Sequence, residues 1–105
     1  MYLSELFCFL FSEEPLEIIV PLADIEIMET QTATLMCEVS KPNQVAKWIK
    51  DGKKEISGNG RYEIRVEDTK HFLLIKDAEL SDQAEYTATF NADLSTSASV
   101  FVGGK

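Results

Sequence analysis

The chain has 105 residues, of which 45% are apolar or aromatic, so it is long enough for one domain with a single hydrophobic core. Its 10 basic and 18 acidic residues give a formal net charge of −8. This charge argues against a nucleic-acid or anionic-membrane partner, because both bind through a positive protein face. It favours solubility, and it suits a basic protein surface as a partner.

Residues 1–14 are predicted to be a leader outside the folded domain. Their apolar stretch includes Glu5 but no lysine or arginine, and it lacks the small-residue cleavage site of a secretory signal. It is also too short to span a bilayer. We interpret it as an appended or isoform-specific leader; the alternative is an amphipathic segment that packs on a neighbour.

From Pro15 onward, short strand patterns alternate with turn signals, and no window keeps a helical period. Residues 15–20 are typical of an edge strand that stops at Pro21, which has no N–H for a sheet ladder. The pattern resumes over 24–28. Residues 32–40 alternate most clearly, and their inward face consists of Ala33, Leu35, Cys37 and Val39.

The next predicted strand, 45–50, places Ala46 and Trp48 on one face and ends at the Asp51-Gly52 turn. After a second turn at 59–60, residues 61–66 and 71–76 form a hairpin, followed by strands at 84–92 and 95–102. The inward residues of these four strands are Leu73, Ile75, Tyr86, Ala88, Phe90, Ala98, Val100 and Val102, with Ile64 opposite the first two. Seven or eight strands with this spacing predict an all-β, two-sheet Greek-key sandwich.

A core signature runs through these strands and consists of Cys37, Trp48, Leu73, Ile75, Asp82, Tyr86 and Ala88. In antibody-type sandwiches, the position two residues after such a tyrosine carries the second cysteine of a disulfide. Ala88 stands there, so we predict no intradomain disulfide and a buried, hydrophobic Cys37; the alternative is a redox-responsive thiol. We expect the Tyr86 hydroxyl to bond backbone near Leu80, and Asp82 to form a surface ion pair with Arg61.

Together and in this order, these elements resemble the I-set immunoglobulin domains of the giant muscle proteins, titin above all, and also obscurin and myosin-binding protein C. The match covers about residues 15–102 and includes Lys-Trp-Ile-Lys-Asp-Gly and the run from Asp82 to Tyr86. Ala84 and Ala88 depart from the glycine and cysteine common at those positions. The resemblance implies an immunoglobulin-like domain at 15–103, a short tail at 104–105, and a split first strand whose second half pairs in parallel with the last strand.

The resemblance further implies a module of a tandem array in the cytoplasm of striated muscle, within the sarcomere. Such a module would be a monomeric, mechanically resistant spacer or elastic element. Its partners would be neighbouring immunoglobulin-like domains or a sarcomeric protein. The mechanical role would fall on two edge strands, represented by Asp24, Ile25, Glu26, Ile27 and Met28 and by Ala98, Val100 and Val102.

Two other functions remain open. One is a docking domain that binds a sarcomeric or signalling partner through a sheet edge or acidic face, with Met36 and Ile49 as exposed contacts. The other is an extracellular adhesion domain, which the missing bridge and the lack of an Asn-x-Ser/Thr sequon disfavour. No catalytic, cofactor or metal site is predicted, and the single histidine, His71, is expected at a partly solvated strand end.

Overall fold

The computed structural model describes residues 15–104, which form nine strands in two sheets. The predicted leader, residues 1–14, lies outside the described residues. The strands are β1 (Ile18–Val20), β2 (Ile25–Met28), β3 (Ala33–Val39), β4 (Lys47–Lys50), β5 (Lys54–Ile56), β6 (Tyr62–Glu67), β7 (Lys70–Ile75), β8 (Ala84–Asn91) and β9 (Leu94–Gly103). A 3-10 turn, Leu80–Asp82, precedes β8. The predicted all-β sandwich is confirmed.

The chain changes sheet at Pro21, between β1 and β2. Strand β1 pairs antiparallel with β3 in a four-stranded sheet of order β1-β3-β7-β6. Strand β2 instead pairs in parallel with β9 in a five-stranded sheet of order β2-β9-β8-β4-β5. Because proline has no N–H to donate, the ladder is interrupted there and the first strand is divided between the two sheets.

The core lies between the two sheets and is built from their alternate residues. Strand β3 follows the predicted period of two, and each of its four inward side chains is buried. The other buried apolar residues include Trp48, Leu73, Ile75, Tyr86, Ala88, Ala98, Val100 and Val102. The single described cysteine, Cys37, is a buried free thiol, as expected for a sandwich with alanine at position 88.

Several local features differ from the sequence expectations. Strand β5 was not predicted, and β4 begins at Lys47, which leaves Val45 outside the ladder and 83% exposed. Met36 and Ile49, expected to be exposed, are half-buried. The turn between β4 and β5 has positive φ at Asp51 (54°) and Gly52 (68°), the primed geometry that matches the twist of paired strands.

Candidate functional site

The first element of the candidate site is the terminal-strand pair, defined as β2 together with residues 99–103 of β9. The two strands run parallel, with Val100 opposite Ile25 and Val102 opposite Ile27. Just beyond β2, the Glu29 N–H donates to the Gly103 carbonyl at 3.0 Å. The structure therefore brings together the two predicted edge strands, which lie near opposite ends of the described chain.

Side chains extend this pairing beyond the ladder itself. The Ser99 N–H donates to Asp24 Oδ1 at 2.8 Å, and the Leu22 N–H donates to Thr96 Oγ1 at 3.1 Å. Asp24 thus lies just before β2 and supplies a carboxylate in place of a backbone carbonyl. The segment that precedes β2 is therefore already hydrogen-bonded to β9, at positions ahead of the first ladder pair.

The orientation of the backbone N–H groups in the terminal-strand pair follows from three hydrogen bonds. Glu29 donates toward β9, whereas Met28 donates outward to Gln31 Oε1 at 2.9 Å. Since N–H directions alternate along a strand, the Ile27 N–H faces β9 and the Glu26 N–H faces outward. On β9, the Ser99 N–H donates toward the β2 side, to Asp24. The N–H groups at odd-numbered positions of β9 therefore face β2, and the N–H of Val100 faces away from it.

The core beneath this pair contains the residues of the predicted signature. Trp48 is 1% exposed and stands directly across from Ala88 in the β4–β8 ladder. Burial raises the pKa of the Cys37 thiol to about 11, so the thiol stays protonated at neutral pH. Because the thiolate is the reactive form, Cys37 in the folded domain is a poor nucleophile, which favours the buried-hydrophobe interpretation.

A hydrogen-bonded corner closes the end of the core at which β8 begins. The buried Tyr86 hydroxyl donates to the Asp82 carbonyl at 2.6 Å, two residues from the expected acceptor near Leu80. The Asp82 carboxylate accepts from the Arg61 guanidinium and, at 2.8 Å, from the Glu79 N–H. The predicted ion pair between Arg61 and Asp82 is present, but Asp82 is buried, so the expectation of a surface pair is wrong in that respect. The hydrogen bond to Asp82 raises the pKa of the Arg61 guanidinium above its ordinary value.

Replacing Tyr86 with phenylalanine should lower the free energy of unfolding by about 1–3 kcal/mol, because the Asp82 carbonyl would lose its buried donor. Urea denaturation would measure the loss. Thr87→Val is the matched control. It removes a hydroxyl group on the same strand, and this hydroxyl forms an exposed hydrogen bond with Ser97. Equal losses in both variants would refute a special role for the tyrosine corner.

His71 is buried, and the expectation of a partly solvated strand end is wrong. It is 1% exposed and lies opposite Cys37 in the β3–β7 ladder. Its ring packs edge-on against the Phe90 ring, with the two ring centroids 4.9 Å apart. Phe90 belongs to the other sheet and covers the imidazole from that side. Neither ring nitrogen has a protein hydrogen-bond partner among the described residues. Burial therefore lowers the pKa of His71.

This burial predicts a specific pH dependence. With its folded-state pKa below the unfolded value of 6.5, His71 binds a proton more readily after unfolding, so stability falls as pH drops through 6.5. The slope is at most about 1.4 kcal/mol per pH unit for one group. Urea unfolding from about pH 7.5 to about pH 5.5 should show this loss, and His71→Leu should flatten it. An unchanged slope in His71→Leu would contradict the assignment.

The described residues contain no group of three or more histidine, cysteine or acidic side chains placed to hold a metal ion. Within the same part of the chain, no helix has the length and apolar character needed to cross a bilayer.

Comparison with known proteins identifies this arrangement. Residues 16–101 match the model of the immunoglobulin I-set domain. Human slow-type myosin-binding protein C is 40% identical over 76 residues, which cover 71% of this chain and 7% of that protein. The crystal structure of titin domain I10 is 37% identical with a TM-score of 0.79, covering 85% of this chain and 99% of that one. The titin I9-I11 tandem is 36% identical with a TM-score of 0.82, over 87% of this chain and 34% of that chain. The chain belongs to the immunoglobulin I-set family.

Proposed function

We propose that this domain is a mechanically resistant spacer in a tandem immunoglobulin array of the sarcomere. The observation that carries the proposal is the parallel pairing of β2 with β9, close to the two ends of the described chain. The similarity to titin domains, one of them within a tandem, and to myosin-binding protein C supports placement in a muscle array. As an I-set immunoglobulin domain, the chain is not an enzyme.

Tension along such an array would load the terminal-strand pair in shear. Because β2 and β9 run in the same direction, pulling the start of β2 away from the end of β9 slides one strand along the other. The ladder bonds, together with the one from Ser99 to Asp24, are then strained at the same time. Forced unfolding is governed by the unfolding barrier, and simultaneous rupture raises that barrier.

Changing the pulling direction tests this proposal without altering the fold. In one arrangement, single-molecule force is applied through the two chain ends. In the other, the second attachment is moved to exposed Asp93 in the β8–β9 turn, which lies at the same end of the sandwich as Pro15. The end-to-end arrangement should require a clearly higher force at the same loading rate. Equal forces would contradict a shear-loaded terminal pair.

A docking role is the second candidate, and the outer face of the terminal-strand pair favours it. Met28 and Phe101 are 47% and 46% exposed there; Met28 follows Glu26 by two residues on β2, and Phe101 lies opposite Glu26 on β9. A basic sarcomeric partner could cover the aromatic ring and meet the carboxylate. Salt-sensitive capture of such a partner by the wild type but not by Phe101→Ser would favour docking over a purely mechanical role.

A further inference from the structure

An exposed methionine stands at one end of the terminal-strand pair. Met28 is the last residue of β2 and lies opposite Gly103, the last residue of β9. It is 47% exposed, whereas Met36, on the outer face of the other sheet, is half-buried. Because oxidants reach exposed thioethers from water, the sulfur of Met28 is open to oxidation in the folded domain.

The missing side chain of Gly103 allows Met28 to lie across the partner strand. The Met28 Sδ atom is 3.1 Å, and its Cε atom 3.9 Å, from the point at which a Cβ atom on Gly103 would stand. The thioether therefore fills the space beside the backbone of Gly103. At this same position, the Gly103 carbonyl accepts the hydrogen bond from the Glu29 N–H at 3.0 Å. Met28 thus shields the end of the ladder.

We propose that Met28 is a site of reversible oxidation by peroxide, and that its sulfoxide loosens this end of the terminal-strand pair. In the reaction, a lone pair of the sulfur attacks one oxygen of hydrogen peroxide, the O–O bond breaks and an S=O bond forms. The thioether is oxidised by two electrons. The proton on the transferred oxygen passes to the departing hydroxide, which leaves as water. Methionine sulfoxide reductases, with a thiol as reductant, restore the thioether and release the oxygen as water.

The sulfoxide is unsuited to the position that the thioether holds. Its oxygen is a strong hydrogen-bond acceptor, and burying it without a donor costs free energy. The Gly103 carbonyl beside it is also an acceptor and already receives the Glu29 N–H. We therefore expect the oxidised side chain to turn into solvent, which exposes the bond between Glu29 and Gly103 to competition from water.

The consequence for tension rests on the proposed mechanical function. The bond from Glu29 to Gly103 continues the β2–β9 ladder beyond its last strand pair and would be strained with it in shear. If water competes for this bond, fewer hydrogen bonds share the load. The oxidised domain should therefore unfold at a lower end-to-end force than the reduced domain.

Amide hydrogen exchange, followed by NMR, tests the loosening without any applied force. The wild type is treated with hydrogen peroxide, and mass spectrometry should show one added oxygen on Met28 before Met36 is oxidised. The Glu29 N–H should then exchange several-fold faster. The Ser99 N–H, which donates to Asp24 at the other end of β2, should keep its rate. Oxidation of Met36 ahead of Met28, or an unchanged rate at Glu29, would overturn the proposal.

Met28→Leu is the matched control, because leucine keeps an apolar side chain at this position and has no sulfur. Peroxide should leave the Glu29 exchange rate of this variant unchanged. Faster exchange there after peroxide would assign the effect to another oxidised residue and overturn the proposal. In the wild type, treatment with the reductases should restore slow exchange.

Force measurements separate this inference from the mechanical function on which it rests. Equal end-to-end forces for the oxidised and reduced wild type would overturn a role of Met28 in regulating mechanical resistance. Equal forces in the two pulling directions for the reduced wild type would instead contradict the mechanical function, and the exchange rate of Glu29 would still decide whether oxidation loosens the strand pair.

Discussion

Replacing Trp48 with alanine is expected to lower the free energy of unfolding by about 3–5 kcal/mol. The side chain is the largest of those fully buried, and it stands between Ala88 and Ile56 on the neighbouring strands. Its loss would leave a cavity that the surrounding β-ladders cannot close. Since a small domain has only about 5–15 kcal/mol of stability, the variant should be marginally folded near room temperature.

The neighbouring residue Ile49 provides the matched control for this prediction. It lies on the same strand but on the outer face and is half-buried, so Ile49→Ala should cost clearly less than Trp48→Ala. Urea denaturation followed by circular dichroism measures both losses on one scale. If the two substitutions destabilise the domain equally, Trp48 is not the main core anchor.

The parts of the fold that could be predicted are those in which one sheet face is buried along its whole length. Strand β3 alternates because each of its inward residues meets the opposite sheet, and this repeated burial leaves a clear period in the sequence. Pro21 predicts an interruption of the first strand for a similarly local reason, its missing N–H donor, whereas the pairing of the second half with the last strand was implied only by the family resemblance. Both signals depend on single residues and their immediate neighbours.

Three features of the fold could not be predicted, for different physical reasons. Strand β5 has only three residues and buries only Ile56, too little for a period to appear. His71 is next to a polar turn, but Phe90 from the other sheet covers it. Val45 continues the alternation of β4 in sequence, yet it lies before the first ladder residue and faces solvent. Of these three outcomes, the burial of His71 is the one decided by a partner far away in the chain.

The candidate site shows the same division between local and distant information. The sequence predicts which residues form the two edge strands, and the side-chain alternation predicts the inward position of Val100. It does not reveal which backbone N–H groups face the partner strand, because that depends on the register of β2 against β9. The structure assigns Ile27 to the terminal-strand pair, whereas the N–H of Val100 faces β8.

This orientation makes Ile27→Pro the substitution with the largest expected mechanical effect. Proline would remove the N–H that faces β9 from the centre of the parallel ladder, so the bonds on either side would no longer share the load. The unfolding force should fall sharply. Ile27→Ala separates this effect from the loss of the side chain, which packs against the core, and it should retain most of the force.

The most direct measurement compares the end-to-end unfolding forces of Ile27→Pro and Glu26→Pro at one loading rate. Both variants carry the same ring in the same strand, but the N–H of Glu26 faces away from β9. We expect a sharp loss of force for Ile27→Pro and a force close to that of the wild type for Glu26→Pro. Equal forces in the two proline variants would contradict a mechanical role for the β2–β9 ladder.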